Sequence, residues 1–414
     1  LTKKKKSKIA KEVPLDELML PKSLYAEIIS LFRDIWGEIG MRFADAMLIS
    51  LLSHRLQFDK TVLEVIGKRK IARIRQHLLL YWSHGWTKTS LLKFTKNFLL
   101  PKNLRVKWAT DSSSAALRGS VLKGKIFPPR IAIYDIFIVP ELSSWLQQSG
   151  ESNIAKTLGI LNTALEEGEV EADLVKFINI DEFARQEAEE EWGIKITREG
   201  TMKYTTNTVF WAATHTLDVI PKMQREAFLS RFNIIRMPPN ILTTELSEKI
   251  VFGKPSFDYE YLESLRQNLE NFLSTIEVKP YMLERAIRIA KEVVSRAKAS
   301  ARIIMSPRII NSILMTSMFY SVWLDKAKDE LISEMVERRV NDIKFGGQTT
   351  EEIMMNLLKT PRTPAEIASI LGMRRSLVYY YLKRIPVEKI RDPKTGRVKY
   401  KVVGGWDEEV LTLD

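Results

Sequence analysis

The residues best suited to chemistry are Lys88-Thr89, which follow the apolar run Leu78-Leu79-Leu80-Tyr81-Trp82, read as a strand, and Gly85, read as its turn, and precede the helical pattern Leu91, Leu92, Phe94. A phosphate-holding loop needs a tight strand-to-helix turn with backbone N–H groups facing the anion. It also needs a lysine for the β and γ oxygens and a hydroxyl for Mg2+. That makes Gly85, Trp86, Thr87, Lys88, Thr89 and Ser90 candidate ATP contacts, with Thr89 holding Mg2+ through the nucleotide. The order of elements fits, but Trp82 and Thr87 stand where the pattern G-x-x-x-x-G-K-[ST] has glycines. Taken alone, Lys-Thr after an apolar run is more often an ordinary helix start.

The elements that would position this loop are legible in the periodicity. Residues 14 to 80 read as helices, with amphipathic stretches over 24–36 and 44–56 and a third from Gly67 through Leu80 that runs into the loop strand. Residues 106–145 turn to β-type patterning, with Pro128-Pro129 breaking before the run Ile131 to Val139. Alternating helix and strand predicts a parallel sheet. The acidic stretch 165–191, ending Glu189-Glu190-Glu191, reads as a solvated helix face or as a face for a basic neighbour in an oligomer. Residues 257–335 read as helical throughout, Lys344 to Gln348 as a linker, and no internal repeat is present.

A chain of 414 residues has room for two or three domains. It contains no Cys, which excludes disulfides, Cys-ligated zinc and thiol catalysis, and its four His (54, 77, 84, 215) are scattered. No run approaches the length of a membrane span, so a cytoplasmic protein that does not engage membranes is expected. The net charge of +13 is concentrated towards the two ends: residues 1–12 carry six Lys against one Glu, and residues 362–401 carry eleven Lys or Arg against three acids. The first cluster reads as a solvated basic tail; the second sits on a recognisable pattern.

From Ile66 to Met237 the chain resembles the AAA+ module of the MCM (minichromosome maintenance) replicative helicases, and the match continues through a helical lid to about residue 345. The family's G-D-P-G-x-A-K-S-x-L-L loop corresponds to Trp82-Ser83-His84-Gly85-Trp86-Thr87-Lys88-Thr89-Ser90-Leu91-Leu92, and its S-S-A-A-G-L-T stretch to the run Asp111 to Ser120. The latter also reads as a Ser-rich loop. By alignment Ile136 to Glu141 takes the place of the family's apolar strand plus Asp-Glu. The resemblance then makes Glu141 the group that polarises the attacking water, with Pro140 where the Mg2+-holding Asp would stand. A competing register makes Ile131 to Tyr134 the strand and Asp135 the magnesium residue. The run Val209 to His215 resembles the sensor-1 strand, with His215 replacing the usual Asn, although a lone His ending an apolar strand is more often a core residue. Phe228-Leu229-Ser230-Arg231-Phe232-Asn233 is similar to the family's L-S-R-F-D. The resemblance thus implies that Arg231 reaches a neighbouring subunit's nucleotide. Ser306-Pro307-Arg308 resembles sensor 2, making Arg308 a second γ-phosphate contact. Ile194 to Tyr204 resembles the pore hairpin, whose tip would put Arg198 on DNA; a surface β-turn with a solvated Arg is an equal reading.

Residues 349–403 read as a winged helix, with helices over Thr350 to Leu358, Ala365 to Leu371 and Arg374 to Arg384, and a wing around Asp392 to Gly396. A groove-entering helix and a basic hairpin make Arg374, Arg375, Lys383, Arg384, Lys394, Arg397 and Lys399 the candidate DNA contacts.

The expected architecture is α/β: a basic tail (1–13), an AAA+ P-loop ATPase core with N-terminal helices (14–240), a helical lid (241–345) and a small winged-helix domain (346–414). The resemblance implies ATP and Mg2+ as cofactors, DNA as partner, and a homo-oligomer in the form of a hexameric ring or open spiral. It implies a helicase, loader or initiator of DNA replication, nucleoid-associated in a prokaryotic or archaeal host. Pro140 leaves open a hydrolysis-deficient scaffold or a DNA-binding regulator. With about 65 residues before the core and no Cys, the OB-fold and zinc domain of cellular MCM proteins is expected to be absent, as in a stripped-down relative from a mobile element.

Overall fold

The computed structural model describes residues 23–69, 74–82, 87–110, 117, 119–122, 125–148, 151–166, 168–173, 180, 182–197, 200–236, 258–301, 307–345, 354–355, 357–358, 360–371, 375–392 and 396–403. These fall into two compact units, one within Leu1–Arg236 and Lys254–Gly346, the other within Met237–Gly253 and Gly347–Asp414.

In the first unit, α1 (Leu24–Leu56) starts where the Ser23 hydroxyl accepts the Ala26 N–H at 3.2 Å, and it breaks at Gly37, whose φ of +62° leaves the helical region. Helix α2 follows (Lys60–Arg69), then strand β1 (His77–Tyr81), α3 (Lys88–Phe94) and a π-helical turn over Thr95–Leu99. The helix expected from Gly67 through Leu80 therefore gives way to a strand. Leu78, Leu79 and Leu80 are wholly buried, and a run apolar on both faces suits a central parallel strand as well as a buried helix.

Strands β2 (Val106–Trp108), β3 (Ser120–Leu122) and β4 (Lys125–Phe127) precede β5 (Ile136–Val139) and α4 (Leu142–Gln147). Arg130–Ile133 is one helical turn behind Pro129, so the register that made Ile131 to Tyr134 a strand is wrong: proline is tolerated at the mouth of a helical turn and fixes the chain there. Helix α5 (Glu151–Glu166) leads to a three-stranded antiparallel sheet, β6 (Glu169–Asp173), β8 (Thr201–Thr205) and β7 (Lys195–Ile196) in that spatial order, with α6 (Glu182–Trp192) inserted. Then come β9 (Val209–Thr214), α7 (Lys222–Leu229) and β10 (Phe232–Arg236).

The main sheet runs β10-β1-β9-β5-β2 and every neighbouring pair is parallel. At its amino edge the buried His77 ring locks β1 to its surroundings: Nδ1 accepts the Phe210 N–H at 3.0 Å and Nε2 lies 3.0 Å from the Leu165 carbonyl oxygen.

Four helices complete this unit: α8 (Tyr259–Thr275), α9 (Pro280–Ala301), α10 (Pro307–Trp323) and α11 (Asp329–Phe345). They share the sheet's compact unit. Their anchor is Asp45 of α1, fully buried, whose carboxylate accepts Tyr25 Oη at 2.6 Å and Tyr320 Oη at 2.8 Å and lies 3.5 Å from Arg338 and 3.7 Å from Arg339. No described helix is long and apolar enough to cross a membrane.

The second unit holds α12 (Pro364–Leu371), α13 (Arg375–Leu382) and the antiparallel hairpin β11 (Val387–Arg391) and β12 (Val398–Val402), with a bridge from Arg362 to Tyr400. Thr363 and Glu366 cap α12 reciprocally: the Thr363 hydroxyl accepts the Glu366 N–H and the Glu366 carboxylate accepts the Thr363 N–H. Met354, Leu358, Ile367, Val378, Leu382, Ile385 and Tyr400 form its core. Most of the helix expected over Thr350 to Leu358 lies outside the described residues.

Candidate functional site

Strands β1, β9 and β5 are neighbours, and in a parallel sheet their carboxyl ends share one edge, where ligands of open α/β sheets bind. The groups that follow these strands are Lys88, His215 and Glu141.

Thr87 precedes α3 with φ +49°, the one non-glycine residue at positive φ among those described, and its hydroxyl oxygen is buried with no hydrogen-bond partner among them. A β-branched residue held there is strained, and such strain gathers at functional sites. Lys88 is 6 % exposed; its Nζ donates to the Trp82 carbonyl at 2.7 Å and stands 5.5 Å from the centre of the Trp82 ring. Burial lowers the Lys88 ammonium to about 8, against an opposing pull from the Glu141 carboxylate. Thr89 and Ser90 are exposed in the first turn of α3. Gly85 and Trp86 lie outside the described residues.

Glu141 caps α4: its Oε1 accepts Ser143 Oγ at 2.6 Å and the Ser143 N–H at 3.4 Å. His215 Nδ1 stands 3.3 Å from the same oxygen. Burial pushes the Glu141 carboxyl up, but the hydrogen bonds from Ser143 and the nearby His215 ring outweigh it and hold the group below its ordinary value. Capping alone would account for Glu141 facing Ser143, but not for His215 standing against it or for its electrostatic pull on the Lys88 ammonium. Pro140 directly follows β5, with neither carboxylate nor N–H to offer. Asp135, the other candidate for magnesium, precedes β5, at the opposite edge from Lys88. There its carboxylate accepts the Arg105 N–H at 2.7 Å and lies 3.7 Å from His54. No cluster of three or more His, Asp or Glu suited to a metal occurs among the described residues.

Arg231 directly precedes β10 and so also lies at the amino edge, away from its own chain's Lys88. It is 8 % exposed, ion-paired with Glu166 at the end of α5, and donates to the Asn162 and Ala227 carbonyls. Arg308 occupies the first turn of α10. Arg236, which sequence reasoning passed over, ends β10 beside the end of β1 with its guanidinium 5.1 Å over the Tyr81 ring. Ser143 and Glu166 were also passed over. The Glu-x-Ser spacing before an apolar run could have signalled the first, whereas nothing local ties Glu166 to a residue 65 positions away.

In the second unit Arg375, Lys383, Arg384 and Arg397 are exposed. Lys399 is not a free cation: its Nζ is 2.5 Å from Asp392 Oδ2, a bond that raises its pKa. Arg374, Lys394 and the hairpin-tip Arg198 lie outside the described residues; β7 and β8 on either side of Arg198 do pair, and Gly200 turns at φ +88°.

No family model matches the chain, and no curated protein matches it. Among solved structures, a chain described as a "putative ATPase" from Cytophaga hutchinsonii is similar over 81 % of this chain and 93 % of that one, at 14 % identity and a TM-score of 0.42.

Proposed function

We propose that this chain is an MCM-like AAA+ ATPase that binds ATP with Mg2+ at the carboxyl edge of its sheet and works on DNA as a homo-oligomer, in a ring or open spiral. The observation that carries the reading is the convergence of Lys88, Glu141 and His215 on one edge from three adjacent parallel strands, 127 residues apart in the chain from first to last. A lysine held beside a carboxylate, with a hydroxyl following it at Thr89, is the donor set that triphosphate and a phosphate-bound cation require.

In this reading Lys88 would exchange the Trp82 carbonyl for the β and γ oxygens, and Thr89 would hold the Mg2+, which would neutralise charge on the phosphates. Glu141 would orient the attacking water, with His215 holding it in place and serving as the γ-phosphate sensor. Arg308 contributes a further positive charge. Arg231 lies on the wrong edge to reach its own chain's nucleotide, which supports a role at a neighbour's. Residues 346–414 would serve as a winged helix on DNA, with Arg198 as a second contact. Helicase, loader or initiator activity in replication belongs to the same proposal.

A second reading is a scaffold that binds nucleotide and DNA without turnover; Pro140 at the position after β5 favours it. Phosphate release by purified protein, with and without DNA, separates the two. DNA-stimulated turnover that vanishes in Lys88→Ala and in Glu141→Gln supports the ATPase. ATP binding without turnover supports the scaffold, and no ATP binding at all overturns both.

A further inference from the structure

Helix α13 and the turn that follows it carry two adjacent exposed rows at four-residue spacing, Arg375, Tyr379 and Lys383 beside Ser376, Tyr380 and Arg384. Its other side, Val378 and Leu382, is buried in the core of the second unit. Tyr379 and Tyr380 are 47 % and 51 % exposed, so about half of each side chain is open to solvent on this basic face. Tyr380 is also held in place: Arg384 Nη1 donates to its hydroxyl at 2.6 Å and the guanidinium lies 5.2 Å over its ring. Tyr379 is braced by Tyr400 of the wing, ring centres 6.5 Å apart and nearly perpendicular.

We propose that this face of α13 binds single-stranded DNA, with Tyr379 and Tyr380 stacking on unpaired bases and Arg375, Lys383 and Arg384 meeting the phosphates between them. The inference rests on the DNA reading above and narrows it to one form of DNA. Positive charge fits a polyanion, but the charge alone does not choose its form. The tyrosines do. A duplex presents base edges in its grooves and keeps base faces stacked inside, so two half-exposed tyrosine rings, one already carrying the Arg384 guanidinium over it, find base-stacking partners only where bases are unpaired. Rings held in place by Arg384 and Tyr400 lose little freedom on binding. The charge over residues 362–401, eleven basic against three acidic, continues onto the hairpin, where Lys389, Arg391, Arg397 and Lys401 are exposed.

The test is fluorescence anisotropy with the full-length protein without nucleotide, against labelled oligothymidylate, a blunt duplex of equal length and oligouridylate at one salt concentration. Tyr379→Ala and Tyr380→Ala should each weaken oligothymidylate binding about tenfold, as loss of one base stack does. Duplex affinity should change less than about twofold, and Tyr380→Phe should retain binding because stacking needs the ring and not the hydroxyl. Equal losses on single strand and duplex would make this a groove-reading face and overturn the proposal, as would alanine variants that bind oligothymidylate like the parent. Tighter, tyrosine-dependent binding of oligouridylate would overturn the assignment to DNA. A parent protein that binds neither DNA form defeats the DNA reading itself, whereas DNA binding indifferent to both tyrosines defeats only this inference.

Discussion

Arg231 is ion-paired with Glu166 of its own chain, at the amino edge of the sheet and away from its own Lys88. An arginine that served a neighbouring nucleotide would have to exchange this pair, together with the Asn162 and Ala227 carbonyls, for phosphate oxygens. Two consequences follow for variants. Arg231→Ala should leave ATP binding intact and lower turnover on the order of a thousandfold. Glu166→Gln should weaken the internal hold, so that half-maximal turnover is reached at a lower protein concentration. Phosphate release measured across a concentration series checks both. Unchanged turnover in Arg231→Ala would show that the pair is purely structural, and the cost would then appear as about 3 kcal/mol in denaturant unfolding.

The buried ammonium of Lys88 gives opposite pH effects on stability and on binding. Its folded value is about 8 against an ordinary 10.5, so between these values the unfolded chain holds more protons than the native one and stability rises with pH. Below pH 8 the ammonium is present in the native state and its burial is a cost; above 10.5 that cost is gone. Phosphate needs the charged form, so nucleotide affinity should fall as pH rises past about 8. Titration with a fluorescent nucleotide at neutral and alkaline pH measures this. A flat profile would mean that Lys88 does not contact phosphate.

Removal of Asp45 should destabilise the first unit. Its carboxylate is the acceptor for Tyr25 and Tyr320 and the counter-charge of Arg338 and Arg339, all within the buried junction of α1 with α10 and α11. Asp45→Ala leaves two buried arginines without it and should cost roughly 3–5 kcal/mol. Tyr320→Phe removes one hydrogen bond and should cost about 1 kcal/mol. Urea midpoints of the two variants give the comparison, and equal small effects would contradict the network.

On the hairpin of the second unit, Arg397 and Lys399 should differ in DNA binding although both are basic. Arg397 is exposed, while Lys399 is held by Asp392 and must give up that bond to meet a phosphate. Arg397→Ala should reduce the slope of log affinity against log salt by about one, and Lys399→Ala by less. Equal slopes for both variants would show that the Lys399–Asp392 pair opens without penalty on DNA.

The helix that starts at Lys88-Thr89, the strand over Ile136–Val139 with Glu141 beyond it, the β9 run followed by His215, and the two helices and hairpin of residues 363–402 could all be read from the sequence. Each is a local matter: periodicity, turn residues and caps act over a few positions, and the chain states them directly. The β1 run reads both as the strand before Gly85 and as the end of a helix from Gly67, because three consecutive buried leucines satisfy a strand and a helix alike; the structure makes it the strand.

What tertiary structure alone decided is which of these residues meet. Sheet order places His215 beside Glu141 and sends Asp135 to the far edge; it also gives Arg231 a partner in Glu166 and Lys399 a partner in Asp392. Pairings such as Arg231 with Glu166 are not legible in sequence because they depend on loop closures of tens of residues and on strand order. The side chains that specify those are the buried apolar ones of the sheet, not the charged groups brought together at its edges.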